Sequence, residues 1–207
     1  RHPFENHGVV NPPVYHASTI LFPTMDEYAN RGDKARVRYG RRGTPTTFAL
    51  EDALTELEGG PATGTAIVPS GLSAITMTLM AFVQTGDHIL ITDNTYGPTR
   101  SFSTGKLSQL GIEAEFYDPA IDAGIEKLVR PNTRLIWLES PGSQTFEMQD
   151  VRAIAEVAKS NSIVTMIDNT WSGGYYFKPL SHGIDISVQA GTKYIVAHSD
   201  VMLGSIT

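Results

Sequence analysis

Seven short apolar runs, separated by stretches with helical periodicity, constrain this chain more than any other feature. They are Thr65–Val68, His88–Thr92, Glu113–Tyr117, Arg134–Leu138, Ile163–Ile167, Ile184–Val188 and Val201–Ile206. Their length and near-continuous apolar character predict strands covered on both faces. Helical spacing recurs between them over Leu72–Val83, after Pro98, over Ile125–Val129, and at Val151, Ile154, Ala155 and Ala158. Upstream, Leu50, Ala53, Leu54 and Leu57 follow an i, i+3, i+4, i+7 pattern that Gly59-Gly60 ends, which predicts another helix. Strands alternating with helices imply an α/β fold, a mostly parallel sheet with helices on both faces. Residues 1–45 have neither period and are rich in Pro, Gly, Asn, Arg and aromatic residues, the composition of an extended arm that needs a surface to lie on. The expected organisation is an arm over 1–45 and one large domain over 46–207, without internal repeats.

Composition narrows the partners. Sixteen basic and 22 acidic side chains give a net charge of −6, with no like-charged run to meet nucleic acid or anionic lipid. No window approaches the roughly 20 apolar residues that span a bilayer. The absence of cysteine excludes disulfides, thiolate metal sites and thiol nucleophiles within this sequence and accords with a reducing compartment, so cytoplasm is the expected location. Both ends look cut, and a longer polypeptide is expected.

In parallel α/β sheets ligands collect beyond the carboxyl ends of the strands, so the polar residues there carry the functional expectations. Val68-Pro69-Ser70-Gly71-Leu72-Ser73 leads from a strand into a helix, whose free N–H groups and dipole suit a single phosphate; Ser70 could equally be a helix cap. Neither a G-x-x-x-x-G-K-[ST] loop nor a G-x-G-x-x-G fingerprint is present. Tyr96, in Asp93-Asn94-Thr95-Tyr96-Gly97-Pro98, could lie on a planar cofactor or pack on its own loop. Asp168 closes an apolar strand and must find a cation, a metal, donors or a cap; no second carboxylate or histidine stands at metal-ligand spacing, so no metal is expected. Lys193 follows the Ile184–Val188 run, where desolvation would make it a nucleophile, or it is a surface lysine; His198 and Asp200 read as turn residues. Pyridoxal phosphate requires a lysine, an acid, a phosphate cradle and a ring at once, and all four occur at strand ends.

These residues carry a resemblance. Val14-Tyr15, Tyr39-Gly40-Arg41, Leu57-Glu58-Gly59-Gly60, Ser70-Gly71, Asp93-Asn94-Thr95-Tyr96, Glu139-Ser140-Pro141, Asp168-Asn169-Thr170 and Thr192-Lys193-Tyr194 with His198-Ser199-Asp200 stand in the order of the Cys/Met-metabolism family of pyridoxal-phosphate enzymes, which the chain resembles from end to end. The segments around Ser143 and Trp171 are most similar to the bacterial cystathionine β-lyase branch; other branches usually have asparagine and phenylalanine there. Ala190 departs from the serine of many members, which removes or replaces one phosphate contact. The resemblance implies a fold type I (aspartate aminotransferase-like) large domain, with a smaller C-terminal domain and its carboxylate-binding arginine missing from this sequence. It further implies that Lys193 carries the cofactor as a Schiff base, Asp168 holds its ring nitrogen, and Tyr96 stacks on it. Ser70, Gly71, Leu72 and Thr192 would surround the phosphate, with Tyr39 and Arg41 donated by a neighbouring subunit of a homodimer, itself part of a homotetramer. Tyr96 or Tyr39 would help set amine protonation of an amino-acid substrate. The implied reaction is carbon–sulfur cleavage of cystathionine, with γ-elimination, γ-replacement or non-catalytic binding as alternatives.

Overall fold

A computed structural model describes residues 3–32 and 36–207. In chain order its regular elements are α1 (Met25–Ala29), α2 (Pro45–Glu58), β1 (Ala66–Val68), α3 (Gly71–Phe82), β2 (His88–Thr92), α4 (Gly97–Phe102), β3 (Glu113–Tyr117), β4 (Thr133–Glu139), α5 (Val151–Ser160), β5 (Val164–Asp168), β6 (Ile186–Gln189) and β7 (Gly204–Ile206). A π-helical turn, Ser103–Leu107, continues α4, and Asp122–Leu128 forms a 3-10 helix where helical periodicity was read. The chain divides into two compact units, residues 1–53 and 54–207, with the division inside α2.

In the first unit the stretch expected to be an extended arm also holds short local elements. Thr24 caps α1 by accepting the Glu27 N–H on its hydroxyl (3.1 Å), a start signal too brief to register as periodicity. A bridge joins Thr19 to Tyr39, and Gly40–Arg42 forms a 3-10 turn. The Tyr15 N–H donates to the Thr46 hydroxyl (2.8 Å), which donates in turn to the Pro13 carbonyl (2.8 Å) and fastens the segment to the start of α2.

In the second unit all seven strands form one sheet in the order β1-β7-β6-β5-β4-β2-β3. β3, β2, β4, β5 and β6 are parallel, whereas β7 is antiparallel to both β6 and β1. The mostly parallel sheet is therefore as expected. Strand pleating sends alternate residues to opposite faces, so each buried strand feeds two cores. Ile89, Ile91, Leu135, Trp137, Met166 and Val188 pack with Ala74, Ile75 and Leu79 of α3 on one face. Leu90, Ile136, Leu138 and Ile167 pack with Ile154, Ala155 and Ala158 of α5 on the other.

Two strands begin two or more residues later than expected. Asp185 accepts both the Thr165 N–H (2.8 Å) and the Thr165 hydroxyl (2.9 Å) on its side chain, and pairing starts only at Met166–Ile186. The Leu203 N–H goes to the Thr192 hydroxyl (2.9 Å) and its carbonyl accepts the Thr192 N–H (3.1 Å), so β7 starts at Gly204 rather than Val201. The stop of α2 is as expected: Gly59 and Gly60 both have left-handed φ values (64° and 58°), which cost glycine nothing. Glu58, at the end of α2, is buried and accepts from the Ser187 hydroxyl (2.7 Å) and the Gln189 side-chain amide of β6.

Candidate functional site

Because β1 lies antiparallel to β7, itself antiparallel to β6, it runs in the same direction as the five parallel strands. One edge of the sheet thus receives Ser70–Leu72 after β1, Asp93–Tyr96 after β2, Glu139 and Ser140 from β4, Asp168–Thr170 from β5 and Ala190–Lys193 after β6. Alternation then selects a face. Continuing Leu135, Trp137 and Met166 by two residues places Glu139 and Asp168 on the α3 side.

At the start of α3, Ser70 is a cap: its Oγ accepts the Ser73 N–H (3.1 Å) and bonds the Ser73 hydroxyl (2.9 Å). The N–H groups of Gly71 and Leu72 fall in the first helical turn, where no intrahelical carbonyl reaches them, at the positive end of the helix dipole. Gly71 is needed for close approach, since a Cβ there would lie 2.4 Å from the Ala190 Cβ and 2.8 Å from its Cα. The helix tip and the segment leading to Lys193 are thus in direct contact.

Asp168 is the last residue of β5 and is half-buried. Its Oδ1 accepts the Thr170 N–H (3.0 Å), and burial raises its carboxyl above the usual range against the lowering effect of the Thr170 hydroxyl and N–H. It makes no ion pair with a lysine, arginine or histidine among the described residues, which leaves it able to accept a further N–H donor. Opposite it in the ladder stands Glu139, only 5% exposed. The Glu139 Oε2 accepts the Tyr96 N–H (2.7 Å) and the Thr95 hydroxyl (3.0 Å), and the Trp137 indole N–H donates to that hydroxyl (3.1 Å). Burial, then the charge of Asp168, pushes the Glu139 carboxyl up to about 8. The sequence assigns Glu139 no role, although it closes an apolar strand as Asp168 does.

Lys193 lies in the turn after β6 and is exposed, with Thr192, Ala197, Ser199, Asp200 and Met202 lining the hollow around it. Of the two sequence readings for Lys193, a desolvated nucleophile or a surface lysine, its exposure in this chain matches the second. The Thr192 hydroxyl braces the turn against Leu203, donating to its carbonyl (3.2 Å) as well as accepting its N–H. The Ala190 N–H donates to the Thr170 hydroxyl (2.8 Å), tying the Lys193 segment to that of Asp168. Phe146, Trp171 and Tyr194 form an exposed aromatic row, with ring centroids 5.3 and 5.7 Å apart. Tyr96 is the residue that precedes α4 and is 44% exposed. The edge thus gathers Ser70, Gly71, Leu72, Tyr96, Asp168, Thr192 and Lys193. Tyr39 and Arg41 belong to the first unit, where both are exposed.

An exposed lysine, an acid with a free acceptor site, helix N–H groups and an exposed phenol ring are the donor set that pyridoxal phosphate requires, and the residues present fit it. Over residues 1–207 the sequence matches the family described as Cys/Met metabolism PLP-dependent enzyme. The chain belongs to that family. Its members depend on pyridoxal phosphate, the cofactor expected from the sequence. It is 45% identical over 203 residues to a cystathionine beta-lyase of Haemophilus influenzae and 43% identical over 212 residues to an L-alanine/L-glutamate racemase of Wolbachia pipientis. Each alignment covers 96% of this chain and 51% of the relative, so the chain spans about half the length of these proteins. The fold superposes with a TM-score of 0.88 on a provisionally named O-acetylhomoserine (thiol)-lyase from Campylobacter jejuni that carries N'-pyridoxyl-lysine-5'-monophosphate. That match is 28% identical and covers 98% of this chain and 50% of the other. Among the described residues of this family member no group of three or more His, Asp or Glu side chains could hold a metal, and no helix is long and apolar enough to cross a membrane.

Proposed function

We propose that this chain is the cofactor-binding part of a pyridoxal-phosphate carbon–sulfur lyase that cleaves L-cystathionine to homocysteine, pyruvate and ammonia. The observation that carries the proposal is Asp168, a strand-end acid without a cationic partner among the described residues, on the same sheet edge as Lys193. Family membership and the Haemophilus influenzae relative support it.

Pyridoxal phosphate, when bound, supplies an electron sink for the pair left at Cα as its proton departs. Lys193 Nζ would be the attachment point for the cofactor and, as a free amine, the base placed to take the substrate Cα proton. Asp168 would accept the N–H of the ring nitrogen and keep that nitrogen protonated, which would strengthen the sink. Tyr96 would stack on the cofactor, and the N–H groups of Gly71 and Leu72 would hold its phosphate, joined by Ser70 and Thr192. Tyr39 and Arg41 reach the phosphate of the neighbouring subunit in a homodimer, which assembles further to a cytoplasmic homotetramer; Tyr96 or Tyr39 adjusts substrate amine protonation. Loss of the homocysteine thiolate from Cβ, with a proton taken up by its sulfur, would leave 2-aminoacrylate, and one water added to its imine form would release pyruvate and ammonia.

The Wolbachia pipientis relative favours a second reading, because racemisation needs the same Cα proton removal and differs in returning the proton. The test is to incubate the full-length protein with L-cystathionine and, separately, with L-alanine, and to identify the products. Pyruvate from cystathionine supports the proposal. Release of 2-oxobutyrate would move the reaction to γ-cleavage, and D-alanine without keto acid would favour the racemase. Lys193→Ala should abolish turnover, and near-normal elimination by that variant would overturn the assignment.

A further inference from the structure

Glu139 belongs to none of the roles assigned above, yet it is a buried acid at this edge. Its Oε2 takes two donors from the loop between β2 and α4, the Tyr96 N–H and the Thr95 hydroxyl. The same hydroxyl receives the Trp137 indole N–H, so the loop is pinned to β4 through both a backbone and a side-chain contact. The Glu139 N–H donates to Gln149 Oε1 (3.0 Å), and Gln149 Nε2 donates to the buried Tyr117 hydroxyl (3.1 Å), which fixes the strand end itself. A carboxyl in this position holds the Tyr96 backbone from which the ring extends.

The second relation is with Asp168. As the closing pair of the β4–β5 ladder, the two acids lie on neighbouring strands, roughly 5 Å apart by sheet geometry, with side chains on the same face. The titratable groups around Glu139 are Asp168 on β5, Tyr96 in the loop it anchors, and Tyr117 of β3 reached through Gln149. No lysine, arginine or histidine pairs with it among the described residues. Two carboxyl groups so placed disfavour each other's ionisation, so below about pH 8 a proton stays on Glu139. A cationic N–H donor against Asp168 keeps the charge on that residue and leaves the proton to Glu139.

We propose that Glu139 is a positioning residue of this site, fixing the backbone of Tyr96 and standing beside Asp168 as the protonated, uncharged member of an acid pair. The inference rests on the roles given above to Asp168 and Tyr96. It also accounts for a buried acid at a position that makes no ion pair among the described residues.

The experiment uses the full-length protein loaded with pyridoxal phosphate, with cofactor affinity and circular dichroism in the cofactor's absorption band as readouts. Glu139→Ala removes the anchor and should weaken cofactor binding about tenfold while diminishing the dichroic band. Glu139→Gln keeps a neutral acceptor for the Tyr96 N–H, and should restore affinity to within about threefold of the parent. An alanine variant with unchanged affinity and band would overturn the positioning role. A glutamine variant as impaired as alanine would overturn the uncharged state. If far-ultraviolet dichroism shows Glu139→Ala unfolded, Thr95→Val takes its place and must weaken binding in the same direction, an unchanged affinity again overturning the role. Borohydride reduction followed by peptide mapping separates this outcome from failure of the underlying site: a parent protein unmodified at Lys193 would refute the site, whereas Lys193 modified in every variant leaves Glu139 to be judged on affinity.

Discussion

Glu139 and Asp168 are the last pair of the β4–β5 ladder, so two carboxyl groups close adjacent strands on one face of the sheet. Neither is offset by a lysine or arginine among the described residues, and each is pushed above its ordinary value by burial first. That relationship governs the charge available at the site.

It gives a pH dependence with a definite sign. Glu139 rises from 4.5 to about 8 on folding, so between those values the folded protein binds more protons than the unfolded chain. Stability is then present at low pH and lost as pH rises through about 8. Glutamine does not titrate, so Glu139→Gln should gain on the parent as pH rises from 5 to 9, by up to a few kcal/mol. Thermal unfolding of both proteins across that range checks the crossing trend.

Asp168→Asn retains size and hydrogen bonding while removing the charge. Cofactor binding should survive in part while elimination falls by roughly 100-fold or more. Equal turnover in a steady-state assay with cofactor saturating would remove the role of Asp168 in holding a protonated ring nitrogen.

Gly71→Ala puts a methyl group 2.4 Å from the Ala190 side chain and close to its backbone, so the helix tip or the Lys193 segment must move. Overpacking of this kind costs about 1–3 kcal/mol. Urea denaturation should show the loss, and cofactor affinity should fall with it, because the displaced atoms adjoin the proposed phosphate cradle.

Tyr117 is fully buried, donates to the Trp137 carbonyl (3.0 Å) and accepts from Gln149. Burial raises its phenol well above the ordinary value, so it remains neutral throughout the working range. Tyr117→Phe leaves a buried amide donor of Gln149 without that acceptor and should destabilise by about 1–3 kcal/mol in chemical denaturation.

Much of this architecture was legible in one dimension. Ile89, Leu90 and Ile91, or Leu135 to Leu138, are apolar without interruption because each strand feeds a core on both faces, and that pattern survives in the sequence. Ends set by side chains were not legible. Asp185 and Thr192 take backbone groups that a ladder would otherwise use, and only their tertiary neighbours show it.

The sequence by itself determined the mostly parallel sheet, the family, and the strand-end positions of Lys193, Asp168, Tyr96 and Gly71, because periodicity and local motifs depend on near neighbours along the chain. Tertiary structure alone decided that Glu139 faces Asp168, that it anchors Tyr96, and that Gly71 touches Ala190. Those relations join residues far apart in the chain, and they arise from strand order, register and the direction of the pleat, which no local stretch encodes.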